Sequence, residues 1–265
     1  MGQILYAQAT GNASVIDWNT AANGSGDSAP WASHAEDDTL EANTFSIAVD
    51  VDTFERAALV NQNGGVFTVN MDDAVGSPRT FTCELDAQYG GTLLYVTGRA
   101  TSSGRLLKII GNSIMAGAAG AGINHVARSL VWLTGDAVGG TVGSSNAFHL
   151  NNSLGSARID GTTRCAYASA HPDSFGLYLT SGTAVVNDVR ADATGTRPVA
   201  VYPAGANSFL TITGDLWFTG SGMPIRNYGF KWEPKPGKAI IVLNAKGEIR
   251  RIFPSAATGI LGVGV

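Results

Sequence analysis

The chain has 265 residues, of which 14% are charged and 34 are glycine, with 17 basic against 21 acidic side chains and a net charge of −4. Charge this sparse, with neither sign clustering along the sequence, excludes the basic footprint of a nucleic-acid binder. It points instead to a surface that meets other protein, because a monomer relies on charged surface to stay in solution.

No apolar stretch reaches the ~20 residues of a membrane span. Met1 to Ala7 lacks the basic and apolar regions of a secretion signal, so synthesis in the cytoplasm is expected. Cys83 and Cys165 stand in separate segments without metal-ligand spacing and read as small buried hydrophobes; a disulfide between them is not readable from spacing.

Residues 1–40 read as irregular structure. Asn23-Gly24, Ser25-Gly26 and Pro30 supply turns around Trp18 and Trp31. From Thr44 to Val51 polar and apolar residues alternate with period two, the mark of a half-buried strand. Asn63-Gly64-Gly65 turns into a second such strand, Val66 to Asn70. Gly90-Gly91 precedes Thr92 to Val96 in the same way, and Ser103-Gly104 precedes Leu106 to Ile110.

A short phrase recurs along the chain: an apolar run, then Thr-Gly or Ser-Gly, then a polar turn. It occurs at Leu93 to Gly98, Leu130 to Asp136, Leu177 to Gly182 and Phe209 to Asp215. Its intervals of 37, 47 and 32 residues are uneven. Repeated strand and glycine turn, with few helix signals, predict a stacked β architecture. Asn124, Asn146, Asn151, Asn152 and Asn187 fall near predicted corners, where asparagines stack in ladders or simply occupy loops.

Ile114 to Ala127, including Gly117 to Gly122, is rich in small residues and lacks a strand period; it reads as a loop against a partner subunit. Trp232 to Gly237 reads as a rigid linker. Lys238 to Asn244 and Glu248 to Phe253 form a terminal hairpin about Lys246-Gly247. The tail, Ala256 to Val265, is apolar and reads as frayed or pinned on a neighbour. The organisation expected is thus 1–40 irregular, 41–230 a β body, and 231–265 a hairpin and tail.

Trp18, Trp31 and Asp37-Asp38, followed by Phe45 to Asp50 and then Asn63 to Val69, resemble the opening of right-handed parallel β-helices. Such proteins include tail spikes, fibres and surface-decorating proteins of tailed bacteriophages. The resemblance spans roughly residues 12 to 230 and is one of style, without a diagnostic motif. It implies an all-β fold, a parallel β-helix with a β-sandwich or jelly roll as the alternative, and assembly as a homotrimer. The expected role is structural: a virion protein that cements or decorates the capsid beside the major capsid protein, or forms part of a tail fibre. The alternative is a spike that binds or degrades glycan.

A glycosidase needs two carboxylates at a set separation. Candidates are Asp136, Asp160, Asp188, Asp192 and Asp215; Asp136 and Asp215 each follow Thr-Gly and are expected on one solenoid edge. Asp at such a turn also bonds local amides. Asp50 with Asp52, and Asp72 with Asp73, fall short of a calcium loop. His34, His125, His149 and His171 are isolated, and Gly117 to Gly122 lacks the end of a phosphate loop. Trp132, Tyr178, Tyr202 and Trp217 are candidates for sugar stacking or for the core. No catalytic, metal or cofactor residue is assigned, and no cofactor, nucleic acid or membrane partner is expected.

Overall fold

The computed structural model describes residues 2–72, 78–99, 102–115, 119–141, 143–165, 174–191, 199–204, 207–219, 223–225, 240–243 and 249–252. The fold is an all-β solenoid, mostly parallel. A jelly roll or sandwich is built from antiparallel strands, so the parallel register excludes that alternative. Among the described residues Trp31–Ser33 forms a 3-10 turn, and none is in an α-helix.

Three parallel sheets wrap one apolar core, and each is read most simply from its inward ladder. In the first sheet Ile47, Phe67, Leu94, Ile123, Phe148, Leu177 and Val201 lie in register. In the second the ladder is Phe54, Phe81, Ile109, Leu133, Ile159, Val186 and Ile212. The third runs Leu5, Leu40, Leu59, Leu85, Ser113, Ala137, Thr163, Val189 and Leu216. All of these side chains are buried. Successive rungs of the second ladder are 24 to 28 residues apart, the length of one turn. Each large rung contributes about 1.5–3 kcal/mol of burial, and none has a use for the chain outside the stack.

The chain turns a first corner between sheets one and two, a second between two and three, and a third on returning to sheet one. The strands Ser145–Arg164 and Leu177–Ala191 run through all three sheets, bending at register shifts. Around the middle of the stack the third ladder shrinks to Ser113, Ala137 and Thr163. Here the walls close in: Ser113 Oγ donates to the Ala147 carbonyl at 2.8 Å, and a Cβ on Gly122 would lie 2.5 Å from that hydroxyl.

That closeness explains much of the small-residue stretch after Ile114. Where a loop was expected, Ser113–Met115 and Gly120–His125 are strands, and Ala121, Gly122 and Ala127 are buried within this chain. The Asp50 region differs as well: the expected Thr44 to Val51 strand is confined to Ser46–Ala48.

The N-terminal end of the stack is covered. Ile4–Ala7 pairs in parallel with Thr39–Glu41 and antiparallel with Trp18–Asn19. Residues 13–38 stand where the second sheet would add a strand. Trp31 packs on Phe54 with ring centroids 6.1 Å apart, and Trp18 is fully buried, its Nε1 donating to the Ala13 carbonyl at 2.9 Å. At the other end Ile240–Leu243 extends the third sheet, and Ile249–Ile252 pairs with it antiparallel, forming the expected hairpin. Strand edges left open would recruit other chains, and the N-terminal elements occupy those at their end. Trp232 to Gly237 and Ala256 to Val265 lie outside the described residues.

Candidate functional site

The second corner gathers the carboxylates. At each turn its side chains accept the backbone amide of the turn that follows. Glu84 Oε2 accepts from Asn112 N at 3.1 Å, Asn112 Oδ1 from Asp136 N at 2.7 Å, and Asp136 Oδ1 from Thr162 N at 2.7 Å. Two turns further on, Asp188 Oδ1 accepts from Asp215 N at 2.8 Å. The expected common edge for Asp136 and Asp215 is therefore real, and their corner uses carboxylates to satisfy amides that the bend removes from the sheet ladder. Asp136 and Asp215 are three turns apart, about 14 Å at ~4.8 Å per turn, too far for a carboxylate pair.

The third corner works similarly. Glu41, buried, accepts from Asn43 N and Gln62 N, both at 2.9 Å, while burial raises its pKa against those bonds. Asn61 Oδ1 accepts from Gln88 N at 3.1 Å. The asparagines named from the sequence behave differently from a stacked ladder. Asn152 Nδ2 donates to the Val126 carbonyl, and Asn151 and Asn187 accept from Thr180 and Thr213.

The other candidates separate. Asp160 holds Trp132 Nε1 and Arg158 Nε, each at 2.7 Å. Asp50 accepts from the Ser14 amide and hydroxyl, and Asp52 lies 3.6 Å from the guanidinium of buried Arg79. Asp73, Asp192, His171 and Gly117 lie outside the described residues. Among the described residues no group of three His, Cys, Asp or Glu side chains is placed to hold a metal ion, and no helix is long and apolar enough to cross a membrane.

His34 sits edge-on to Trp18 in the N-terminal cap, its Nε2 3.0 Å from the Ala29 carbonyl, and burial lowers its pKa. His125 occupies an inward position between Val96 and Leu150, and burial drives its pKa down to about 3. His149 stacks on Tyr178 at 4.7 Å, and burial lowers its pKa too. Both cysteines are buried and no disulfide joins them, and burial pushes the Cys83 thiol far up, which keeps it unreactive.

The aromatic candidates are turned to each other and to cations. Tyr178 is stacked between His149 and Tyr202, and Arg190 lies over Trp217 at 5.9 Å. Trp132 carries Lys108 Nζ 4.6 Å above one ring and Arg158 at 4.4 Å. These residues come from three successive turns, since Lys108, Trp132 and Arg158 are in register on the outside of the second sheet.

That cluster is a feature the linear sequence hides. Residues 1–98 carry 13 acidic and 2 basic side chains, whereas residues 99–158 carry five basic (Arg99, Arg105, Lys108, Arg128 and Arg158) and one acidic. Folding stacks residues one turn apart, so well-separated cations become neighbours. The expectation that neither sign clusters is thereby corrected in three dimensions. A window of one turn's length, about 26 residues, was the signal that would have found it.

No protein-family model, curated protein or solved structure matches this chain.

Proposed function

We propose that this chain is a non-catalytic structural protein of a tailed-phage virion, assembling with copies of itself to decorate or cement the capsid or to build part of a tail fibre. The observation that carries the reading is the second corner. Of its acidic side chains, Glu84 and two of the first candidates for glycan chemistry, Asp136 and Asp188, are engaged as backbone acceptors. A long stack with a covered N-terminal end and a broad outer sheet suits a scaffold. The resemblance supplies the phage assignment and implies three copies; the charge distribution taken up below favours a pair.

The test is presence in the particle. Mass spectrometry of purified virions from the source should find the protein near the stoichiometry of a structural component, and antibody raised against it should label capsid or tail. Its absence from particles that assemble and infect normally would overturn the proposal.

One geometric feature keeps the glycan-degrading alternative in view: Asp188 and Asp215 sit on adjacent turns of one corner. Neighbouring turns are ~4.8 Å apart, near the carboxylate separation of a retaining glycosidase. Release of sugar from host capsule or lipopolysaccharide, lost in Asp188→Asn, would favour that reading over the scaffold.

A further inference from the structure

We propose that the outer face of the second sheet is where a second copy of this chain docks, with the two solenoids antiparallel about a two-fold axis lying in the interface. The inference does not depend on the virion reading. It rests on how charge is distributed along the solenoid axis.

The face is built of stacked outward rows. Thr53, Thr80, Lys108, Trp132, Arg158, Val185 and Thr211 form its central row. The row beside it begins Glu55, Thr82 and Ile110. Ile110 is 39% exposed, and Phe209, on the last strand of the face, is 63% exposed, so apolar surface is interspersed with the charge.

Charge changes sign along these rows. At the N-terminal end Glu55 is exposed, and exposed Glu36 in the cap lies close enough to act electrostatically on the same neighbour, Arg56. Two to four turns further, Lys108 and Arg158 project from the face, bordered at the first corner by Arg99, Arg105 and Arg128. Lys108 and Arg158 are ordered over the Trp132 ring, and Asp160 fixes Arg158 from the side. Ordered cations lose less side-chain freedom when they meet a partner.

Two parallel copies laid face to face would set Glu55 against Glu55, and Lys108 and Arg158 against their own counterparts. Antiparallel copies set the acidic end of each against the basic middle of the other, twice, as an isologous contact requires. The described face spans about 29 Å along the axis and about 13 Å across. That area is well below the ~800 Å² per partner of a standard interface, so the contact is expected to be transient and sensitive to salt.

The test is sedimentation velocity on the full chain with two charge-reversed variants, each checked for a native β circular-dichroism spectrum and thermal transition. One is Lys108→Glu with Arg158→Glu; the other is Glu36→Lys with Glu55→Lys. Wild type should dimerise at about 10 mM salt, where the Debye length is ~30 Å, and dissociate by about 1 M, where it is ~3 Å. Each variant alone should stay monomeric at low salt, and an equimolar mixture of the two should recover the dimer. A wild type that is monomeric at low salt, variants that associate like wild type, or a mixture that stays monomeric would overturn the proposal. So would a trimer indifferent to both reversals. Retention of dextran sulfate by a monomeric wild type, lost on reversing Lys108 and Arg158, would assign the face to a polyanion instead.

Discussion

The first and second corners turn the same chain from one sheet to the next and do so by different means. The second corner is short and nearly constant: Leu133 to Ala137, Ile159 to Thr163 and Val186 to Val189 all cross it within a few residues. Carboxylate or amide side chains bind it to the next turn. Its glycines stack with their backbones in contact, since a Cβ on Gly135 would lie 2.3 Å from the Gly111 carbonyl oxygen, and one on Gly161 would lie 2.4 Å from Gly135.

The first corner varies in length from turn to turn, as between Asn70 and Arg79 or between His125 and Leu130. It combines local bonds within Arg99 to Arg105 with bonds between turns, where Asp72 Oδ2 accepts from Arg99 N and Ser102 Oγ from Arg128 N, and its Gly104 has φ +78 with open space around it. Inter-turn contact runs through both corners, and what differs is length, which changes from turn to turn at the first corner and hardly at the second. Variation in sequence and any recognition function are more easily accommodated at the corner whose length the stack does not hold.

The largest effect expected belongs to the first corner, where His125 ends a strand of the first sheet with Nε2 3.3 Å from Ser129 Oγ. Its folded pKa, about 3, lies below its unfolded value of 6.5. The unfolded chain therefore takes up a proton that the folded chain refuses. Stability from this residue is whole above pH 6.5 and falls as the pH drops toward 3, by about 3 kcal/mol at pH 4. Guanidinium unfolding at pH 7 and pH 4 should show a loss in wild type that exceeds the loss in His125→Leu by that amount. Equal losses would remove the buried imidazole as the cause.

Gly135→Ala comes next. With backbone on the far side of the contact, the turns must part, and a loss of about 2–3 kcal/mol is expected. Gly104→Ala, with nothing to strike, should cost only about 1–2 kcal/mol for its left-handed backbone. Asparagine separates the two causes because it tolerates that conformation: Gly104→Asn should approach wild type, and Gly135→Asn should be at least as damaging as alanine. If asparagine rescued both sites equally, the contrast between the corners would fail.

The contrast also explains what could be read from the sequence. Alternating strands and Thr-Gly phrases were legible because each is local, and they led to a stacked β fold. Their uneven spacing had a hidden cause. Thr97-Gly98 and Ser181-Gly182 lie at the first corner, while Thr134-Gly135 and Thr213-Gly214 lie at the second, so the phrase samples two positions of one regular turn. The small residues after Ile114 suggested a partner because a wall of the same chain, Ser113 to Ala147, is invisible at short range. The basic face was hidden for the same reason: Lys108, Trp132 and Arg158 meet only across turns.

The smallest effect separates structure from chemistry at Asp136. Asp136→Ala removes the acceptor of Thr162 N and should cost about 1–2 kcal/mol, because the amide at the bend is left without its bond. Asp136→Asn should cost less than about 1 kcal/mol. An asparagine oxygen already does this work one turn earlier, where Asn112 Oδ1 accepts from Asp136 N in the same corner. The amide keeps the geometry and gives up only the added strength of a charged acceptor. A general acid or nucleophile would be disabled by the same exchange. Unfolding measured beside glycan release therefore distinguishes the roles: alanine destabilised and asparagine close to wild type, with no activity for either change to remove, identifies Asp136 as a corner bond. If alanine and asparagine were equally stable, that assignment would be lost, and with it the account of why this corner keeps its length while the first does not.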